Sequence, residues 1–322
     1  MENTITEIMN EMAEYLSAEQ QKKLQQVLIA KLAENRTKTA PATNEDYKKL
    51  FLNSKKIEGC SERTLLYYGT TLEHFFATIH EPARRITTEQ IRTYLADYQK
   101  INNCSNATVD NIRRNISSFF SWMEEEDHLL KSPMHRIHKI KTVKQVKEVI
   151  SDETIEKLRD SCHCTRDLAM IDLLYSTGMR VGELVKLNIR DVNFEERECI
   201  VFGKGDKERR VYFDAKSKLH LQEYLLERSD DNPALFVTLD SPHTRLKISG
   251  VEIRLRELGK SIDAGRIHPH KFRRTMATRA IDKGMPIEQV QKILGHSQID
   301  TTMQYAIVNQ NNVKTAHRKF IA

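Results

Sequence analysis

Six residues in the second half of the chain carry side chains suited to handling a phosphoryl group: Arg180, Lys204, His270, Arg273, His296 and Tyr305. An arginine fork stays charged at any working pH and matches two phosphoryl oxygens at once. Arg180 follows Gly178, where one helix is expected to end and the next to begin. Glu183 stands one turn on, close enough to orient the Arg180 guanidinium. Lys204 lies between Gly203 and Gly205, and glycines permit close backbone approach to a ligand. His270 and Arg273 are three apart, so on a helix they share a face. Gly295 reads as the residue just past a helix, which puts His296 on a turn. Asp300 or Thr301 then starts the helix expected to carry Tyr305. Taken one at a time, each has a plain alternative: a surface arginine, a charged turn, a chance His-x-x-Arg, a half-buried core tyrosine.

The elements that must position these residues show in the apolar and turn patterns. Glu198 to Phe202 and Arg209 to Phe213 are β-rich runs joined by a polar, glycine-containing stretch, the pattern of a hairpin. Around that hairpin the pattern is helical: Ser151 caps a helix, a second runs through Leu168 to Tyr175, and helices resume after Ala215. A short apolar run, Ala234 to Val237, interrupts them. The first half is helical throughout. Ser61 starts a helix with Leu65, Tyr68, Leu72, Phe75, Phe76 and Ile79 on one face. Thr87 and Gln90 form a capping box ahead of Ile91, Tyr94, Leu95 and Tyr98. Asn106 precedes a third helix with Val109, Ile112, Ile116, Phe119, Phe120 and Met123. These aromatics are read as core; Arg113 and Arg114 lie off the stripe and suit either DNA or simple solubility.

Before residue 43 two short helices are expected, from the capping boxes Thr4 with Glu7 and Ser17 with Gln20. Their stripes are Ile5, Ile8, Met9 and Met12, then Leu24, Val27, Leu28 and Leu32. A pair this small does not bury both stripes alone. The expected division is a helical N-terminal extension (1–42), a helical unit (43–130), a basic connector (131–150) and a C-terminal domain (151–322) with a tail from 309. The fold class is mainly α with a small antiparallel β-sheet in the C-terminal domain.

Composition excludes several classes. The 322 residues suffice for two domains, 39% are hydrophobic and 30% charged. No apolar run approaches the roughly 18 residues a membrane span needs, and the first fifteen residues lack a basic and apolar leader. Five scattered cysteines fit a reducing cytoplasm. Cys162, His163 and Cys164 lack a second ligand pair, so no metal site is expected. Net charge is a modest +6, but Lys131 to Lys147 holds six Lys or Arg and no acid. That run, with Lys139, Lys141 and Lys144, suits a phosphate backbone or a solvated linker equally.

An arginine, a lysine on a hairpin, His-x-x-Arg, Leu-Gly-His and a tyrosine, in that order within one domain, resembles the tyrosine recombinase (phage integrase) family. The similarity is closest to its Xer-like and transposon-integrase members and covers about residues 44–322. It implies a SAM-like core-binding domain followed by a catalytic domain, clamped round duplex DNA. It implies Tyr305 as nucleophile forming a 3′-phosphotyrosine, His270 as general base and Lys204 as general acid. Arg180, Arg273 and His296 would hold the phosphate. No cofactor and no metal are implied. The implied partners are DNA with paired recombinase sites and, on it, a homo-tetramer passing through a Holliday junction. Free in solution the chain would be a monomer or weak oligomer; an accessory protein is compatible with this. The implied location is the bacterial cytoplasm, at the nucleoid when DNA-bound. Arg274 stands where many relatives have histidine, and joins Arg113, Arg114, Lys139, Lys141 and Lys144 as an expected DNA contact. Phe272 replaces a common leucine, and Ala306 and Ile307 a frequent polar pair. The tail from 309 is expected to dock on a neighbouring protomer, and Ile5, Ile8, Leu24 and Leu28 to associate between protomers. Two alternatives remain at this stage: a type IB topoisomerase-like relaxing enzyme and a non-catalytic DNA-binding regulator.

Overall fold

The computed structural model describes residues 9–37, 42–142, 148–203 and 208–305, with 29–37 as backbone alone. The expectations for Thr4, Ile5, Ile8, the Leu32 side chain and the tail from 309 lie outside the described residues. The chain divides into two compact units, Met1–Gln145 and Val146–Ala322.

The first unit is helical. After α1 (Ala18–Thr37) come α2 (Asn44–Ile57), α3 (Glu62–Thr78), α4 (Thr88–Asn102) and α5 (Asn106–Glu125). Side-chain caps fix the starts. Thr43 and Asp46 form a capping box, as do Thr87 and Gln90, and Ser61 accepts from the Thr64 N–H. The third expected helix is capped by Ser105, which makes Asn106 its first residue. The predicted stripes meet in one core, where Leu72, Phe75, Ile91, Ile116, Phe119, Phe120 and Met123 are fully buried. α2 adds Tyr47 and Phe51, which no predicted stripe contained. The rings pack edge to face, Phe51 on Phe119 at 5.5 Å and Phe75 on Tyr94 at 5.0 Å. Each such side chain contributes about 2 kcal/mol of burial.

Residues 131–142, expected as part of the basic connector, are docked on this unit. Pro133–Arg136 forms a single 3₁₀ turn with Met134 buried, and Ile137 and Ile140 pack against the core. Thr88 donates to the Pro133 carbonyl at 2.7 Å, and the Ile140 N–H donates to Asp110 at 3.0 Å. Met134, Ile137 and Ile140 form an apolar series at spacing three, hidden in the sequence among basic residues.

The second unit holds α6 (Asp152–Asp160), α7 (Thr165–Thr177), α8 (Val181–Leu184), β1 (Val192–Asn193), β2 (Glu198–Phe202), β3 (Glu208–Tyr212), α9 (Ala215–Glu227), α10 (Ile248–Ser261), α11 (Pro269–Asp282), α12 (Ile287–Leu294) and α13 (Asp300–Met303). The sheet is antiparallel in the order β1-β2-β3, with Cys199 opposite Val211 and Val201 opposite Arg209. β1 is a third strand beyond the expected hairpin; at two residues it is too short to leave a pattern. Ala234 to Val237 is buried, yet makes only isolated bridges, Asn188 to Ala234 and Val237 to Arg245. α7 runs through the core, with Ala169, Met170, Ile171, Leu173 and Leu174 wholly buried. Its end is fixed by Gly178, at φ +60, where a Cβ would collide with Met276 Cε. Among the described residues no helix is long and apolar enough to cross a membrane.

Candidate functional site

The turn after α7 delivers Arg180 as the residue capping α8. Its backbone N–H donates to Glu183 Oε2 at 2.8 Å, and its Nη1 to Glu183 Oε1 at 3.0 Å. Glu183 is buried. Its main partner is a residue the sequence did not single out. Arg209, on β3, grips both Glu183 oxygens, Nη1 to Oε1 and Nη2 to Oε2, each at 2.6 Å. Burial alone would raise the Glu183 carboxyl; the Arg209 and Arg180 hydrogen bonds outweigh it and hold the group below its ordinary value. A signal for Arg209 existed. It lies opposite buried Val201 and two residues before buried Val211, so it shares the inward face of the strand.

α11 opens on Pro269 and carries His270 and Arg273. Arg273 is buried. Its Nη1 donates to the Gly178 carbonyl at 2.8 Å, and its Nη2 to the Leu294 carbonyl at 2.6 Å and to His296 Nε2 at 3.0 Å. Burial and then the neighbouring Arg180 charge lower its pKa to about 10, so it remains charged at neutral pH.

Three successive carbonyls at the end of α12 each accept from a different arginine. Ile293 accepts from Arg209 Nε at 3.0 Å, Leu294 from Arg273, and Gly295 from Arg180 Nη2 at a long 3.4 Å. A helix C-terminus, with its unpaired carbonyls and negative dipole end, favours such cations. Gly295 takes φ +64, the left-handed conformation expected of it.

That turn presents His296. An arginine has donors only, so His296 Nε2 must be the acceptor, and Nδ1 carries the proton to Thr302 Oγ1 at 2.9 Å. Burial, then the Arg273, Arg180 and Arg209 charges, lower this imidazole to about 4. It is neutral at pH 7, and in this arrangement Nε2 is not the donor that a phosphate contact requires. Tyr305 lies beyond the end of α13 rather than on that helix, held by its N–H to the Thr302 carbonyl at 2.9 Å. Its half-buried ring stacks on His296, with centroids 6.1 Å apart and planes at 22°, and packs against Ala277, Val290 and Leu294. His270 is exposed. Partial desolvation and the charges of Arg273, Arg180 and Arg274 lower its pKa, leaving a neutral ring able to accept a proton. Among the described residues it makes no hydrogen bond to Tyr305. Arg180, Glu183, Arg273, His296 and Tyr305 are thus in one contact network, with His270 beside it. Lys204 lies outside the described residues.

The phage integrase family matches residues 139–312, and its N-terminal SAM-like domain matches residues 48–128. The chain belongs to the phage integrase family. Over 294 residues it is 33% identical to the tyrosine recombinase XerC of Leptospira interrogans, covering 87% of this chain and 94% of that one. It is 28% identical to the tyrosine recombinase XerA of Pyrococcus horikoshii, covering 86% of this chain and 94% of that one. Two solved structures share the fold. One is the Tn1549 transposon integrase in complex with transposon right end DNA, with TM-score 0.71, 17% identity, and 86% and 99% of the two chains covered. The other is the XerH recombinase bound to a palindromic difH substrate, with TM-score 0.67, 20% identity, and 97% and 93% covered.

The remaining residues expected to face DNA in this integrase fold divide into two groups. Lys139 and Lys141 are exposed, while Lys144 lies outside the described residues. Arg114 is 62% exposed, although its Nε reaches Asp110 at 3.0 Å. Arg274 is half-buried and donates to the Glu148 carbonyl at 2.9 Å. Arg113 departs from expectation. It is only 12% exposed and donates to Asp110 at 2.8 Å, because a buried carboxylate three residues earlier on the same helix face takes its charge. Burial would raise Asp110, yet Arg113, the Ile140 N–H and Arg114 bring it down to about 2.

Proposed function

We propose that this tyrosine recombinase is a site-specific DNA strand transferase whose nucleophile is Tyr305. The Tyr305 oxygen attacks phosphorus, a 3′-phosphotyrosine bond forms, and the bond to the 5′ oxygen breaks. His270 takes the phenolic proton and Lys204 supplies one to the departing 5′ oxygen. Arg180 and Arg273 hold the non-bridging oxygens, where charge grows in the transition state. His296 donates to the same phosphate once its ring proton has moved from Nδ1 to Nε2 and the Arg273 bond to Nε2 is released, and Glu183 orients Arg180. Attack of a 5′ hydroxyl from the partner strand reverses the step and rejoins DNA. One phosphoester replaces another at each stage, so the phosphotyrosine itself retains the energy for rejoining. Paired sites, four protomers and a Holliday junction complete the exchange. Arg114, Lys139, Lys141, Lys144 and Arg274 serve phosphate contacts along the duplex.

The observation that carries this reading is the convergence at the end of α12. Arg180 and Arg273 come from separate helices, meet at one turn, and flank a histidine on which Tyr305 stacks. In the free protein three of the five Arg273 N–H donors go to Gly178, Leu294 and His296, which leaves Nε and one Nη1 hydrogen for a phosphate oxygen.

The test is covalent trapping on a nicked suicide substrate containing the repeats that flank the gene. Wild type should give a protease-sensitive, DNA-shifted band on a denaturing gel, and Tyr305→Phe none. Binding of that DNA without a band from either protein would favour the non-catalytic regulator. Relaxation of supercoils without exchange between two sites would favour the topoisomerase-like alternative.

A further inference from the structure

We infer that Arg209 is a positioning residue for strand transfer, neutralising Glu183 and tying it to the end of α12 so that Arg180 stays free for the phosphate. The inference rests on the strand-transfer reading given above.

Glu183 is a buried carboxylate beside the point where a phosphate anion would sit. Uncompensated, it would repel that anion and compete with it for Arg180. Arg209 removes both problems. Its fork takes the two Glu183 oxygens at 2.6 Å each, leaving Arg180 a single side-chain bond to Glu183 at 3.0 Å. The division of labour shows in exposure: the Arg209 side chain is 12% exposed and that of Arg180 37%. One arginine is committed to the protein and the other is available.

A second contact extends the role to the histidine turn. Arg209 Nε donates to the Ile293 carbonyl at 3.0 Å, three residues before His296. The glycine of the Leu-Gly-His turn is shaped to this contact. A Cβ on Gly295 would lie 2.9 Å from Arg209 Cδ and 3.0 Å from its Nε. Gly295 therefore meets two demands, the left-handed backbone and the passage of the Arg209 side chain. Arg209 is the second residue of β3 and comes five residues after Lys204 in the sequence, so anchoring Arg209 anchors the start of that strand.

The test measures single-turnover cleavage at saturating protein, with melting temperature and duplex affinity followed alongside. Arg209→Met keeps the length and loses the fork and charge. Its cleavage rate should fall about a hundredfold, the scale of loss from an ångström-sized misplacement, while duplex affinity stays within about threefold. Arg209→Lys restores a charge without the bidentate grip and should recover part of the rate. Adding Glu183→Gln to Arg209→Met should recover part too, because a neutral side chain no longer draws Arg180 away. Wild-type rates from Arg209→Met would overturn the inference and leave the recombinase reading intact. A slow variant that neither Lys nor Glu183→Gln rescues, and that melts earlier in proportion, would also overturn it, showing Arg209 to be a structural prop. No covalent adduct from wild type would overturn both.

Discussion

Asp110→Asn should destabilise the first unit by about 1–2 kcal/mol at neutral pH, and the loss should shrink in acid. The Asp110 carboxylate accepts from Arg113 Nε at 2.8 Å, Arg114 Nε at 3.0 Å and the Ile140 N–H at 3.0 Å. It therefore joins α5 to the docked residues that lead towards the second unit. An asparagine keeps one acceptor oxygen, turns an N–H₂ towards a guanidinium and removes the charge. A carboxyl ionising at about 2 instead of 3.8 contributes on the order of 2 kcal/mol. The cover over this group includes an arginine that is 62% exposed, so solvent screening reduces that to about 1–2 kcal/mol. The sign follows from the direction of the shift. The folded pKa is depressed, so the contribution is complete above the unfolded value near 3.8 and is lost as pH falls through about 2. Close to half of it should be gone by pH 3. Trp122 makes the measurement specific: it is the chain's one tryptophan and is buried in the first unit's core. Urea unfolding followed by its fluorescence reports that unit. With a slope of about 1–3 kcal/mol per molar, the variant midpoint should fall by about 0.5–1 M at pH 7. Coincident curves at pH 7, or a gap undiminished at pH 3, would refute the assignment of this stability to an ionised Asp110.

Arg273→Lys replaces a fork with three protein acceptors by a point charge. It should slow cleavage about 10²–10³-fold, the usual loss for one oxyanion-stabilising donor, while a filter-binding assay shows duplex affinity changed by less than tenfold. Gly295→Ala puts a side chain into a left-handed backbone, costing about 1–2 kcal/mol, and against Arg209. Calorimetry should show the lower stability and the trapping gel a loss of adduct; full activity would refute the packing argument. Free His296 should titrate near 4 with its proton on Nδ1. Its folded pKa lies below the ordinary 6.5, so its contribution to stability falls as pH drops from about 6.5 towards 4. A midpoint above 6 in the nitrogen chemical shifts would refute the value, and a neutral ring with its proton on Nε2 would refute the tautomer.

Much of the architecture was legible because local physics wrote it into the chain. Ser61, Thr87 and Ser151 cap the helices they were expected to cap. The stripes through Phe75, Ile91 and Phe119 close one core, since a 3.6-residue period admits one buried face. Two features escaped for physical reasons. β1 is two residues long, below the length at which alternation has meaning. Residues 131–142 are docked by Met134, Ile137 and Ile140, whose spacing was masked by the lysines and arginines between them. The low exposure of Arg113 was not foreseen although Asp110, one turn earlier, was in plain view; the pair is local, but Asp110 is also bonded by the Ile140 N–H, thirty residues on.

The site divides along a different line. Side chains whose chemistry is particular to their type, an arginine fork, an imidazole, a phenol, stand out by identity and order, and Arg180, Arg273, His296 and Tyr305 do converge. What holds them together leaves no such trace. The acceptors for Arg209, Arg273 and Arg180 are the carbonyls of Ile293, Leu294 and Gly295, and a carbonyl is the same on every residue. Only Gly295 betrays the arrangement, and its left-handed turn explains it without reference to Arg209. Arg209 was hidden because its partner Glu183 is 26 residues away and already had a local explanation in Arg180. Glu183 also shows why identity alone underdetermines a role. A carboxylate one turn after an arginine implies a pair, whereas two further donors in Arg209 make the pair a triad and leave Arg180 with donors to spare. The distinction decides whether Arg180 is a structural ion-pair partner or a group able to receive a phosphate, and only the folded chain draws it.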